Sequence, residues 1–236
     1  MLFQPRSRNC GAILSLIQFK TVNTKKKSTI AILAAGLLAA AGCTNGSVAK
    51  AQAGAGDGNA VVEAIMARRS IRQYKDTPVE KEKLQLIAEC GVNAPNGMNA
   101  QAWEVVIINS KEWIDGVNGI YKAANPAAAA RPGFKNMFVN APAVIAVAAP
   151  NDTYNGVNAG LLGENIMLAA HSLGLGTCCL GGPLRFLQSS PEAAPYMEKL
   201  GINPDYSILF LIAVGYPDEE PAAKPRDLSK IHYLGD

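Results

Sequence analysis

The sequence predicts one domain in which a sheet of apolar strands is covered by helices on both faces. Three observations predict it. From residue 60 onward the local patterns run helix, helix, strand, helix, strand, helix, strand, helices, strand. The strand runs are mostly apolar rather than alternating, as expected of strands buried on two faces. The chain has 236 residues, 49% hydrophobic and 17% charged, enough to bury one sizeable core without disulfide staples. The same balance excludes a disordered, collagen-like or coiled-coil chain.

Residues 60–69 set Val61, Val62, Ile65 and Met66 at helical spacing. Thr77-Pro78-Val79-Glu80 reads as the start of a second helix, with Thr77 as cap, Pro78 in the first turn and Glu80 completing a capping box. Leu84, Ile87 and Ala88 carry that helix towards Asn93, and Ala94-Pro95-Asn96-Gly97 breaks it. Residues 103–108 form a β-rich run, and residues 143–149, after Pro142, form another. Residues 158–173 read as a long apolar helix ended by Gly174. Residues 177–180 read as a short strand closed by Gly181-Gly182-Pro183, and residues 207–214 as a continuous buried strand ended by Gly215-Tyr216-Pro217. There is no internal repeat.

The formal net charge of +3 belongs to the N-terminus. Residues 1–42 hold Arg6, Arg8, Lys20, Lys25, Lys26 and Lys27 and no acid; the remaining 16 bases face 19 acids, a net −3. A basic nucleic-acid-binding domain is therefore not expected. Lys25-Lys26-Lys27 precedes an apolar run over residues 30–41, too short to span a bilayer comfortably, then small residues and Cys43, which together describe a secretory signal. Ala40-Ala41-Gly42-Cys43 resembles the lipobox of bacterial lipoproteins, with Ala40 where Leu is usual. The resemblance implies lipidation at Cys43 and a membrane anchor facing the periplasm. Ordinary cleavage after Ala39-Ala40-Ala41 is the competing reading. Residues 1–19 sit before the basic stretch and no Met occurs between Met1 and Met66, so translation is expected to begin near Lys20. The expected organisation is an N-terminal extension and signal over 1–42, a Gly/Ala/Asn-rich flexible tether over 43–59, and a folded domain over 60–236.

Cys90, Cys178 and Cys179 remain in the folded part, an odd number with no Cys/His zinc spacing. A 178–179 bridge would be strained, so buried, inert thiols are expected at all three. His171 and His232 are the only histidines, so no metal site is expected.

Two clusters offer chemistry. Arg68-Arg69-Ser70-Ile71-Arg72 puts three guanidiniums and a hydroxyl within five residues, a set suited to phosphate oxygens; a solvated basic turn is the alternative reading. Residues 94–103 offer amides and bare backbone between a helix and a strand, able to bond the edge of a planar polar ring or to form an ordinary polar loop. In order, RRSIRQY, PVEKEKLQLI and APNGMNAQAW resemble the N-terminal signature of the nitroreductase family of flavoproteins. AAHSLGLGTCCLGGP resembles that family's central helix and Gly-rich strand end, and VGYPDEEPAAKPR its C-terminal motif. The resemblance spans about residues 60–236.

The resemblance implies an α+β domain around a mixed sheet flanked by helices, in an intertwined homodimer with FMN at the interface. It implies that Arg68, Arg69 and Ser70 grip the FMN phosphate and ribityl chain, and that Lys224 and Arg226 complete the phosphate site. Arg72 is implied near flavin N1 and O2, where a cation stabilises charge on the reduced ring. Pro95, Asn96, Gly97 and Asn99 are implied to reach FMN from the partner subunit. Gly181 and Gly182 are implied to pass close to the ring, an approach that glycine permits. Two departures stand out: Ala102 replaces the usual Pro before Trp103, and Asn96-Gly97 occupy positions often held by Ser. The implied activity is reduction of nitroaromatic, quinone or similar small-molecule acceptors by NADH or NADPH in a ping-pong cycle, with no protein nucleophile, acid or base required. A reductive dehalogenase or flavin-dependent dehydrogenase of the same superfamily is one alternative; residues 111–135 show no obvious aromatic or acidic substrate clamp, which favours the simple reductase. A membrane-anchored FMN-binding electron carrier without enzymatic activity is the other.

Overall fold

The computed structural model describes residues 58–235. The expected signal, Cys43 and most of the tether lie outside the described residues. Helix α1 (Ala60–Ala67) starts at Asn59, whose side-chain oxygen accepts from the Val61 and Val62 N–H groups. Then follow α2 (Lys81–Val92), β1 (Glu104–Ile108), α3 (Lys111–Ala124), the one-turn α4 (Pro126–Ala129), β2 (Ala143–Ala149), α5 (Thr153–Ser172), β3 (Gly176–Leu180), α6 (Gly182–Ser189), α7 (Ala194–Glu198) and β4 (Ser207–Gly215). The order of helices and strands is the expected one.

The strands form a sheet in the order β1–β2–β4–β3. Both faces are covered, as their composition requires. On β2, Val144, Ala146 and Ala148 face one core with Trp113, Phe138, Leu184 and Leu211. Ala143, Ile145 and Val147 face the other, with Leu84, Ile87, Leu162, Ile166 and Ile212. Every residue of β2 is buried, so no polar side chain could alternate along it. β1–β2, β2–β4 and β3–β4 all pair antiparallel, and the parallel component of the expected mixed sheet is a single bridge between Ser70 and Thr177.

Two helix starts also differ from expectation. α2 begins at Lys81, after an extended Glu80, rather than at Thr77. The capping box does not form because the Glu80 carboxylate accepts from the Tyr216 hydroxyl (2.7 Å) and pairs with Lys83 (3.4 Å), while Val79 is buried as extended chain. α5 begins five residues before its expected start because Asp152 caps it, accepting from the Asn155 N–H at 2.8 Å.

Two glycines seat the segment that matters most. Gly176 and Gly215 are register partners across β3 and β4. A Cβ on Gly176 would lie 2.7 Å from Ile71 Cγ1, and one on Gly215 would lie 2.8 Å from a Tyr74 ring carbon and 2.7 Å from Pro142 Cδ. The missing side chains thus form a trough at the end of the sheet into which Ile71 and Tyr74 pack.

Candidate functional site

The arginine-rich segment lies between β3 and the chain that leaves β4. On one side Ser70 bridges Thr177 in parallel, and the Ile71 N–H donates to the Thr177 carbonyl at 2.9 Å. On the other side, Tyr74 and Pro217 form an antiparallel bridge. The Lys75 N–H donates to the Tyr216 carbonyl and the Asp218 N–H to the Gln73 carbonyl, both at 2.9 Å. The Glu219 carboxylate accepts from the Arg72 N–H. The buried Tyr74 hydroxyl donates to the Ile71 carbonyl at 2.7 Å, and burial pushes its pKa well above the usual tyrosine range.

This threading brings the two ends of the domain's sequence together. A cavity of about 140 Å³ is lined by Arg68, Arg69, Ser70, Arg72, Lys224 and Arg226, with Pro221 and Ala222. Five cations and a hydroxyl line it, and no carboxylate among the described residues does. The guanidiniums have partners besides the cavity, two of them at helices α1 and α5. Arg69 caps the end of α1 through Nη1, which donates to the Met66 (2.7 Å) and Arg68 (2.8 Å) carbonyls. Arg68 Nε lies 3.5 Å from Glu164 of α5, yet it is buried and makes no hydrogen bond with any described residue. An orphaned guanidinium nitrogen beside an all-cationic cavity fits a bound anionic group. Arg72 is exposed and donates through Nη1 to the Ser70 carbonyl at 3.2 Å. A neighbouring cavity of about 630 Å³ shares Arg68 and Arg69 and reaches His171 and Glu219.

From the Ser70 bridge at Thr177, β3 runs on to Leu180, about 10 Å away at ~3.3 Å per residue, and Gly181 and Gly182 follow it as the cap and first residue of α6. Both glycines are exposed, and nothing lies within 4 Å of a Cβ added to either. The strand end therefore faces open space. That layout fits an elongated group with a phosphate at one end and a planar ring at the other.

The loop of Pro95, Asn96, Gly97 and Asn99 lines none of these cavities. It follows α2 and rests on the start of α5, where the Gly97 N–H donates to Asn158 Oδ1 at 3.4 Å. Glu164, which pairs with Arg68 of the cation cavity, lies six residues beyond Asn158 on α5, so the loop lies about 9 Å along the helix from that ion pair in the same chain. Asn96 Oδ1 accepts from the Gln101 N–H at 2.9 Å and shapes the loop itself. Met98, Asn99 and Gln101 all have positive φ, and Met98 is 95% exposed. Gly97 has a packing reason that its sequence does not reveal: a Cβ there would lie 1.5 Å from the Tyr154 hydroxyl.

The thiols depart from expectation at one position. Cys178 is buried and Cys90 partly buried, but Cys179 is exposed, because successive residues of β3 point to opposite faces. Burial raises the pKa of both Cys178 and Cys179, which disfavours thiolate. Residues 111–135 also hold an unexpected aromatic group: Tyr121 stacks on Phe134 (6.0 Å) and meets Phe186 of α6 edge-on (5.0 Å).

The model of the nitroreductase family matches residues 65–216. The chain belongs to the nitroreductase family. It is 29% identical over 174 residues to the NADPH-flavin oxidoreductase of Vibrio harveyi, covering 71% of this chain and 70% of that one. It is 29% identical over 188 residues to the FMN reductase [NAD(P)H] of Bacillus subtilis, again covering 71% and 70%. Its fold matches the FMN-bound nitroreductase of Desulfitobacterium hafniense with a TM-score of 0.66 at 28% identity, over 75% of this chain and 99% of that structure. The FMN-bound nitroreductase of Bacteroides fragilis gives a TM-score of 0.66 at 25% identity, over 75% and 100%.

Sequence reasoning missed Gly176, Thr177, Glu164 and Glu219. Of these, Glu219 lies inside the C-terminal motif, but its partner is a backbone N–H 147 residues away, which no local pattern encodes.

Proposed function

We propose that this nitroreductase-family chain is an FMN-dependent NAD(P)H oxidoreductase that reduces nitroaromatic, quinone or similar small acceptors. The observation that carries the reading is the cation cavity, where RRSIRQY and the distant KPR motif meet. The FMN-bound relatives and the flavin reductases among the similar proteins support the cofactor. Bound FMN supplies reversible hydride transfer between NADH or NADPH and the acceptor. The chain's own residues do the rest. Arg68, Arg69, Ser70, Lys224 and Arg226 would hold the phosphate by charge-assisted hydrogen bonds. Arg72, the base next along the same segment, would supply positive charge to stabilise negative charge on the bound ring. Gly181 and Gly182 leave the strand end bare, so backbone N–H groups can approach the ring. The phosphate assignment is tested by comparing FMN with riboflavin, which lacks the phosphate: FMN should bind at least tenfold more tightly at low salt, and the gap should close as salt rises.

The proposal includes a homodimer. Val61, Val62, Ile65 and Met66 leave α1 with no buried residue, and Tyr154, Val157 and Leu161 extend the exposed apolar surface along α5. A loop that lines no cavity of its own chain can serve the cavity of a second copy, and the exposed Met98 and left-handed Asn99 suit that use. The N-terminal signal and lipobox-like Cys43 support export and anchoring to the cell envelope. Cys43→Ser should abolish incorporation of labelled fatty acid; undiminished labelling would sink that assignment.

A further inference from the structure

Glu219 stands out in the C-terminal arm. It is half-buried, whereas its neighbours Asp218 and Glu220 are exposed. Its carboxylate accepts from the Arg72 backbone N–H, and no assigned role accounts for it. The arm is tied to the arginine segment in sequence: Tyr216 carbonyl to Lys75 N–H, Asp218 N–H to Gln73 carbonyl, then Glu219 carboxylate to Arg72 N–H. Lower down, the Tyr216 hydroxyl donates to Glu80 (2.7 Å) and accepts from Lys83 Nζ (2.6 Å), fixing the base of the arm. Glu219 is the last of these ties before the arm turns into the cation cavity. Beyond it Lys224 and Arg226 are exposed, and the one hydrogen bond of the Arg226 guanidinium is local, to the Lys224 carbonyl at 3.3 Å.

A carboxylate at this place is unexpected on charge alone. A negative group beside Arg72 weakens the attraction of the cavity for an anion. Its presence calls for a benefit that outweighs that cost, and the geometry supplies one. Lys224 and Arg226 contribute to the cavity only if the arm crosses the arginine segment in this register, and the Glu219 bond fixes that crossing.

We propose that Glu219 is a positioning residue that latches the C-terminal arm over the arginine segment, so that Lys224 and Arg226 close the phosphate end of the site. The proposal rests on the FMN reading given above. A charge-only role and a latch role predict opposite signs. If Glu219 acted only through its charge, Glu219→Ala would tighten anion binding. As a latch, its loss frees the arm and weakens binding, while Glu219→Gln keeps an amide oxygen as acceptor and preserves it.

The test is equilibrium binding of FMN and of riboflavin to the full chain and its variants, followed by flavin fluorescence. Glu219→Ala should weaken FMN binding about tenfold, the scale of one hydrogen bond to a charged group, and leave riboflavin binding within about twofold. Glu219→Gln should bind FMN within about twofold of wild type, as should the control Asp218→Ala. In a Lys224→Ala/Arg226→Ala background, Glu219→Ala should cost nothing further, because the residue acts through those two cations. Unchanged or tighter FMN binding by Glu219→Ala overturns the latch. So does an equal loss for FMN and riboflavin, or a full tenfold cost in the double-variant background. If Glu219→Ala does not fold, the same cycle run with Glu219→Gln and Glu219→Lys decides: a Lys variant that keeps wild-type FMN affinity overturns the proposal. A wild-type chain that binds FMN no better than riboflavin overturns the phosphate reading, and the latch with it; a wild type that prefers FMN while Glu219→Ala matches it overturns the latch alone.

Discussion

At the scale of single residues, the site is a set of cations whose effects are separable by what else each one holds. Arg69 also caps α1, and Arg68 also faces Glu164, so removing either disturbs more than a ligand. Lys224 and Arg226 have no such duty, which makes them the cleaner probes. Lys224→Ala and Arg226→Ala should each weaken FMN binding by about tenfold, measured by fluorescence titration, with little change in thermal stability. The thiols should be dispensable. Cys179→Ser should leave both turnover and stability unchanged, while Cys178→Ser, which puts a hydroxyl into the core, should cost about 1–2 kcal/mol in denaturant unfolding and spare turnover per bound flavin. Loss of turnover with flavin retained would reveal a redox thiol. These cations were legible in the sequence because they cluster within two short motifs. The exposure of Cys179 was not, since it depends on which face of β3 the fold leaves uncovered.

At the scale of elements, the decisive feature is how a short extended segment docks on the end of a sheet. Gly176 and Gly215 make the trough, and Ile71 and Tyr74 fill it. Gly176→Ala should push Ile71 off β3, costing about 1–3 kcal/mol by overpacking and weakening FMN binding, because Arg68, Ser70 and Arg72 ride on the same segment. Unaltered FMN affinity in that variant would detach the trough from the site. Nearby, the knot of Tyr216, Glu80 and Lys83 gives a pH signature. The hydrogen bond from Tyr216 is the largest cause that lowers the Glu80 pKa from its usual 4.5, and the bond to Tyr216 is the largest that raises the Lys83 pKa from its usual 10.5. A lowered acid stabilises the fold above its ordinary pKa and loses that effect as pH falls through the folded value; a raised base stabilises below its ordinary pKa and loses it as pH rises. Tyr216→Phe should therefore lower the melting temperature most between about pH 4.5 and 10.5, and the deficit should narrow in acid as the Glu80 part is lost while the Lys83 part persists. The sheet's strands were readable from their apolar runs, to within a residue or so. The start of α2 was not, because Glu80 bonds to Tyr216 across the fold rather than to its own helix.

At the scale of the whole molecule, the proposed site draws on a second copy of the chain. The arginine segment and the C-terminal arm line the cation cavity, and the loop of residues 95–99 lines none of it but sits next to exposed apolar surface that includes Tyr154 and Val157. A second copy that covers α1 resolves both facts. Met66→Glu, at a position 71% exposed in the chain, should convert the dimer to monomer by light scattering and strip flavin with it. A monomeric variant with full flavin would place the whole site in one chain. The order of elements along the chain was legible from periodicity. Which segments meet was legible only through the family resemblance, because the pairing of residues 70–75 with β3 and with residues 216–219 is nonlocal.

The account stands most directly on an absorption spectrum. Protein lacking the first 43 residues, purified and then passed through a desalting column, should be yellow, with flavin bands close to those of free FMN that bleach on anaerobic addition of NADH or NADPH and return when a quinone or nitroaromatic is added. A colourless protein that stays colourless after incubation with FMN would contradict the assignment of the cation cavity.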